Sequence, residues 1–190
     1  MKQTLNVVSP LIDLNTIPLS DNKPAEKKSL FDSPIDFIKQ LYPVAKKSAE
    51  ALGINPKILL AQAALETGWG KYVMHSGEGE ASHNLFGIKS NKSWSGDTVA
   101  IDTLEVAKGE FKTTKAVFKM YQSFEKSFED YVDLIKNNPR YQQAVEGVGD
   151  ATEYLSSLQS AGYATDPNYA QKILSIFKRD IIQQADKFVQ

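Results

Sequence analysis

The chain contains no cysteine and only two histidines, His75 and His83, among its 190 residues. The first absence excludes disulfide scaffolds, Cys-ligated zinc sites and thiol catalysis. The second argues against a histidine-rich metal centre. The two histidines lie eight residues apart in a loop, not at i, i+4 on a helix, so no metal is expected. Charge of one sign is also lacking: 22 Lys+Arg stand against 23 Asp+Glu, a formal net charge of −1. That balance argues against a partner held by bulk charge, such as nucleic acid or an anionic membrane surface. No stretch reaches the roughly 18–20 apolar residues of a membrane span, so no membrane insertion is expected. The opening MKQTLNVVSPLIDL has one Lys and a short apolar run broken by Pro10 and Asp13, a poor secretory signal. P-loop, dinucleotide-binding and nucleophile-elbow motifs are missing too. Carboxylates, hydroxyls and amides remain to carry any chemistry.

Residues 1–33 hold Pro10, Pro18 and Pro24, no glycine and one aromatic, Phe31. Such a composition buries little surface, and a disordered tail or linker is expected there. The folded domain is expected over 34–190. Ser33-Pro34 and Asn55-Pro56 read as N-caps followed by proline at the first helical position. Ile38, Leu41, Tyr42, Ala45, Ala49 and Leu52 keep helical spacing, with Pro43 expected to kink or divide the segment. The next segment, KILLAQAALE, is apolar on almost every side and should lie in the core. Eight of the eleven glycines fall between 53 and 109, so turns crowd the middle of the chain. There NLFGIKS, DTVAIDTLEV, KGEF and KAVFKMY have strand character, with Lys108-Gly109 a turn between antiparallel strands. Helical spacing returns with Phe124, Phe128, Tyr131 and Ile135. Asn138-Pro139 starts a short helix, and Asp150 with Glu153 starts another that Gly162 closes. Asp166-Pro167 should cap a final helix bearing Ala170, Ile173, Leu174, Phe177 and Ile181 inward. The fold class is α+β, predominantly helical, with one small sheet excursion.

Glu66 is the most informative residue. It ends the apolar helix in ALETGWG, beside a helix-ending glycine and Trp69. Partial desolvation and the C-terminal end of the helix dipole both favour its neutral form. A carboxyl kept protonated near neutral pH suits protonation of a glycosidic oxygen. The structural alternative is a Glu whose methylenes pack while its head reaches solvent or a cation.

The linked motifs AQAALETGWG, HNLFGIK, FKMYQSFEKSFEDYVDLI, NPRYQQAV and AGYATDPNYAQKIL narrow this reading. In order and spacing, over about residues 34–188, the chain resembles the glucosaminidase domain (glycoside hydrolase family 73) of bacterial cell-wall hydrolases. It is most like that of the flagellar peptidoglycan hydrolases. The resemblance implies a lysozyme-like domain with a small β-hairpin lobe beside the substrate cleft. It also implies endo-β-N-acetylglucosaminidase action on the glycan strands of peptidoglycan, in the periplasm, opening the wall for flagellar rod assembly. Flagellar rod proteins are then further partners, export by the flagellar secretion apparatus stands in for a signal peptide, and a monomer without cofactor is expected. A muramidase, a lytic transglycosylase, a wall hydrolase with no flagellar role and a non-hydrolytic wall- or rod-binding module are the alternatives.

On this resemblance Glu66 is the general acid. The family's second carboxylate sits late in the hairpin's first strand. There Glu105 matches best, with Asp102 the runner-up. Glu78, Glu80 and Asp97 are the other acidic candidates. Strand alternation puts 102 and 105 on opposite faces unless a bulge intervenes. Retaining, inverting and substrate-assisted routes all stay open. A tyrosine of AGYATDPNYA should support the reacting sugar, with Tyr163 the first choice and Tyr169 the second. Trp94 is a candidate to stack on a sugar, and Asn84 either organises its turn or binds an acetamido group. Tyr121 fits the core or the cleft floor. Trp69 should wedge under the end of the catalytic helix.

Overall fold

The computed structural model describes residues 29–107, 110–146 and 150–189, with 103–107 and 110–114 described by backbone alone. Helix α1 (Pro34–Leu52) starts where Ser33 Oγ accepts the Asp36 amide, and Gly53 ends it in the left-handed region. Helix α2 (Pro56–Thr67) starts in the same way from Asn55. Strands β1 (Thr98–Ala107) and β2 (Glu110–Lys119) form one antiparallel pair. The expected turn at Lys108-Gly109 lies outside the described residues. Among the described residues five α-helices follow: α3 (Phe124–Asn137), α4 (Gln142–Glu146), α5 (Ala151–Ser160), α6 (Tyr169–Phe177) and α7 (Asp180–Gln183). Among the described residues, no helix is long and apolar enough to cross a membrane.

Helix α2 occupies the centre. Ile58, Leu59, Leu60, Ala61, Ala63 and Ala64 are all within 2 % of full burial, so water is excluded around its whole girth. It packs between α1 and α6, while α1 also lies against α3. The sheet carries a smaller core of its own: Val99, Ala116 and Phe118, with Met74, Ile101 and Met120 beside it. The expected α+β class, mostly helical, is what the chain adopts.

Four local expectations change. Pro43 neither divides nor ends α1, because it lies on the exposed side, where the carbonyl of exposed Lys39 meets water instead of an amide. NLFGIKS forms no strand beyond one bridge between Lys89 and Phe118. Its backbone instead turns around the Asn84 side chain, with Gly87 at φ +61°. The final long helix begins at Tyr169, not beside Pro167. Asp166 accepts the Asn168 amide just ahead of it and pairs with Lys172 at 2.8 Å. Fourth, the boundary expected at 33/34 falls inside packed structure. Phe31 is 4 % exposed, stacked on Phe124 at 5.2 Å and edge-on to Phe37 at 4.9 Å.

Phe31 also explains Gly70. That glycine sits at φ +82°, and a Cβ added there would lie 2.0 Å from the Phe31 ring. Gly70→Ala adds left-handed strain to an overpacked contact, and should lower unfolding stability by about 2–4 kcal/mol. Urea denaturation of the two proteins checks this value.

The C-terminal end is pinned by Asp186, which accepts the Tyr42 hydroxyl and pairs with Lys57 at 2.7 Å. The hydrogen bond from Lys57, then that from Tyr42, holds the Asp186 carboxyl below its ordinary value of 3.8. A lowered carboxyl stabilises the fold fully above its unfolded value, and that contribution is lost as pH falls through the lower folded value. Urea midpoints should therefore fall below about pH 4, and less steeply in Asp186→Asn. The side chain is 56 % exposed, so its contribution near neutrality stays under about 1 kcal/mol.

Candidate active site

The end of α2 is built from three consecutive left-handed residues. Gly68, Trp69 and Gly70 have φ of +55°, +64° and +82°. Thr67 stabilises the reversal by donating its hydroxyl to the Ala63 carbonyl (2.7 Å) and accepting the Gly70 amide (2.9 Å). Trp69 is partly buried and edge-on to Phe37 at 5.7 Å, the wedge position expected for it. The turn leaves Glu66 half-buried on the last turn of a helix that is enclosed from Ile58 to Ala64.

One Glu66 oxygen is fixed. The Tyr169 hydroxyl donates to Glu66 Oε1 at 2.9 Å. Burial first, and then the charge of Glu66, push Tyr169 well above the ordinary phenol value of 10.0. This phenol therefore stays neutral and remains a donor. Its oxygen accepts the Gln62 side-chain amide at 2.9 Å, and Gln62 Oε1 accepts the Tyr131 hydroxyl at 2.8 Å. Gln62, Tyr131 and Tyr154 were not among the residues expected at the site. The available signal was Gln62 itself, the one polar side chain between Ile58 and Leu65 and one helical turn before Glu66.

The other expected site residues separate into groups. Tyr163, expected as the catalytic phenol, is fully buried and donates to the Phe86 carbonyl at 3.0 Å. It stacks on Tyr169, with ring centroids 5.7 Å apart, and so supports that ring. Tyr169 is fully buried as well, and its hydroxyl is given to Glu66. Asn84, offered as an acetamido ligand, is 2 % exposed. Its two amide hydrogens go to the Ile88 and Lys119 carbonyls and its oxygen takes the Ile88 amide. Those bonds consume both donors and tie the 84–88 turn to the end of β2.

In the hairpin the register runs without a bulge from Thr98 opposite Lys119 to Ala107 opposite Glu110. Asp102 is exposed and opposite Lys115, on the sheet face away from Val99 and Phe118. Glu105, opposite Lys112, has the parity of Val99 and Ile101 and so belongs to the face carrying the small core.

Trp94 and Tyr121 do come together, edge-on at 5.6 Å. Trp94 donates its indole N–H to the Asp97 carbonyl at 2.9 Å and lies under the Lys119 ammonium at 4.6 Å. The Tyr121 hydroxyl donates to Asp130 at 2.7 Å. Both rings line a groove of about 640 Å³ with His83, Asp97, Met120 and Lys126. Glu66 is not among the residues that line this groove. Glu80 stands at its edge, and Glu78 is exposed on the same Gly-rich loop.

Residues 42–181 match the glucosaminidase family, described as mannosyl-glycoprotein endo-beta-N-acetylglucosaminidase. The chain belongs to this family. All the residues from Gln62 to Tyr169 placed above fall inside the matched stretch. One glucosaminidase relative, peptidoglycan hydrolase FlgJ of Vibrio parahaemolyticus serotype O3:K6, is 41 % identical over 175 residues, covering 92 % of this chain and 55 % of that protein. Among solved structures, a peptidoglycan hydrolase mutant from Sphingomonas sp. A1 is 39 % identical with a TM-score of 0.74, covering 80 % of this chain and 98 % of that one. A C-terminally truncated glycoside hydrolase domain of FlgJ from Salmonella typhimurium is 42 % identical with a TM-score of 0.64, covering 82 % and 99 %. The chain spans about half the length of the curated relatives it matches. The glucosaminidase fold expected from the resemblance is thus the fold of this chain.

Proposed function

We propose that the chain is a peptidoglycan hydrolase that cleaves β-1,4 bonds of the glycan strand as an endo-β-N-acetylglucosaminidase. The observation that carries this reading is the half-buried Glu66 carboxyl at the end of the enclosed helix, held through Oε1 by the Tyr169 hydroxyl. With Oε1 accepting that bond, the acidic proton belongs on Oε2. Glu66 gives this proton to the glycosidic oxygen as the bond from that oxygen to the anomeric carbon breaks. Glu105 is the second carboxylate, supported by its register position on the inner face of β1. It positions the water that adds to the anomeric carbon and takes up that water's proton. Together the two steps consume one water and leave each carboxyl ready for another cycle once protons equilibrate with solvent.

Likeness to proteins named peptidoglycan hydrolase FlgJ extends the proposal to local opening of the wall for flagellar rod assembly, in the periplasm, with rod proteins as partners. Digestion of purified sacculi tests the enzymatic part. Soluble muropeptides should appear at catalytic amounts of protein, whereas tight wall binding with no turnover at high protein concentration would leave a binding module. The export part is tested by a reporter fused to residues 1–33. Periplasmic signal should require the flagellar secretion apparatus, and signal that persists without it contradicts that route.

A further inference from the structure

Four hydrogen bonds join five side chains into one line that ends on Glu66. Tyr154 and Tyr131 share a bond of 2.7 Å between their hydroxyls. Tyr131 donates to Gln62 Oε1 at 2.8 Å, Gln62 Nε2 donates to the Tyr169 oxygen at 2.9 Å, and Tyr169 donates to Glu66 Oε1 at 2.9 Å. Tyr131, Tyr154, Gln62 and Tyr169 are each at most 1 % exposed, so water cannot exchange into the line. A hydroxyl has one proton to give. Since the Tyr131 proton goes to Gln62, the proton between the first two tyrosines must come from Tyr154. Every bond in the line then points the same way, from α5 through α3, α2 and α6 to the carboxyl.

Gln62 sets that sense. Its oxygen faces Tyr131 and its NH₂ faces Tyr169, so Tyr169 must accept from Gln62 and its single proton is left for Glu66. Were the amide turned over, Tyr169 would give its proton to Gln62. The contact with the carboxyl would then need a proton supplied by Glu66. We propose that Gln62, backed by Tyr131 and Tyr154, is a positioning residue that fixes the direction of the Tyr169–Glu66 hydrogen bond and, with it, the oxygen on which Glu66 carries its acidic proton. The proposal rests on the reading of Glu66 as the general acid.

A consequence distinguishes this role from simple packing. Donors in line polarise one another, so Gln62 makes Tyr169 a stronger donor. A stronger donor favours the ionised carboxyl. Removing Gln62 should therefore move the basic limb of the pH–rate profile upward, because that limb follows loss of the acid's proton. Among the described residues, Tyr163 from the loop before α6 and Tyr169 on α6 are titratable groups that feel the Glu66 charge, and burial keeps both neutral. Glu105 is the second carboxylate of the proposed reading. Its ionisation sets the acidic limb, which should stay in place.

The experiment is the pH dependence of kcat/KM on purified sacculi or soluble glycan strands for wild type, Gln62→Met, Tyr154→Phe and Glu66→Gln. Methionine keeps the length and volume of Gln62 and removes both hydrogen bonds. Gln62→Met should lower kcat by about tenfold, leave KM within about twofold, and raise the basic limb by about half a pH unit. Tyr154→Phe removes only the far donor and should raise the same limb by less. Thermal melts accompany each variant, and Tyr154→Phe keeps the test decisive if Gln62→Met does not fold. A basic limb that stays put in both variants, or moves downward, overturns the proposal while an inactive Glu66→Gln leaves the general-acid reading standing. Full activity in Glu66→Gln overturns both.

Discussion

Replacing Glu66 by Gln lowers kcat on sacculi by about 10³-fold, with wall binding and thermal stability close to wild type. A thousandfold loss corresponds to about 4 kcal/mol of transition-state stabilisation. The substitution is close to isosteric. The new amide oxygen can still accept the Tyr169 hydroxyl, so the line of buried donors keeps its end point. What disappears is the proton itself. An amide cannot deliver one to the glycosidic oxygen, and an alkoxide leaving group without that proton is a poor one. A merely structural Glu would behave differently: its amide would retain activity or lose stability in proportion. Steady-state release of soluble muropeptides, with melts of both proteins, separates the two cases.

Glu105→Gln should cost about 10²-fold in kcat, while Asp102→Asn stays within about twofold of wild type. The distinction follows from the register of the hairpin. Pairing runs unbroken from Thr98 to Ala107, so residues 102 and 105 fall on opposite faces. Val99 and Ile101 fix which face is inner, through their cluster with Ala116 and Phe118. Asp102 stands on the other face, exposed and paired in register with Lys115. Both substitutions keep the length of the side chain, and both should leave stability within about 0.5 kcal/mol of wild type. A large loss in Asp102→Asn with an active Glu105→Gln would mean that the strand presents its other face to the glycan.

The features legible in the sequence were those governed by neighbouring residues. Ser33-Pro34, Asn55-Pro56 and Asp150 announced helix starts because capping is satisfied within three residues. Helix α2 was recognisable as central because no side of it is polar enough to face water. Glu66 stood out for the same reason, as a carboxyl where such a helix runs out. The features that were not legible depend on contacts distant in sequence. NLFGIKS has the apolar run of a strand, yet the Asn84 amide bonds the Ile88 and Lys119 carbonyls, and those bonds make it a turn. Phe31 reads as a lone aromatic in a tail until Phe37 and Phe124 are beside it.

The two tyrosines of AGYATDPNYA show the same limit at the site. Tyr163 was the first choice for the reacting sugar and Tyr169 the second. Because α6 starts at Tyr169, that hydroxyl lies between Gln62 and Glu66, across 107 and 103 residues of sequence. Tyr163 follows Gly162 at φ +75° and finds the Phe86 carbonyl instead. No spacing rule distinguishes them, since the choice is made by α2 and the 84–88 turn. Trp94 and Tyr121 were read separately, one as a surface for a sugar and the other as core or cleft floor, and only the fold puts them edge-on in one groove.

Mass analysis of the muropeptides released from sacculi tests the proposed activity most directly, because the new reducing end names the bond that was cut. The expected product carries N-acetylglucosamine at its reducing end, is absent from Glu66→Gln digests, and comes from cuts within the strand. A reducing-end N-acetylmuramic acid, or an anhydro-muramic product, would contradict the assignment by placing the cut at the other β-1,4 bond.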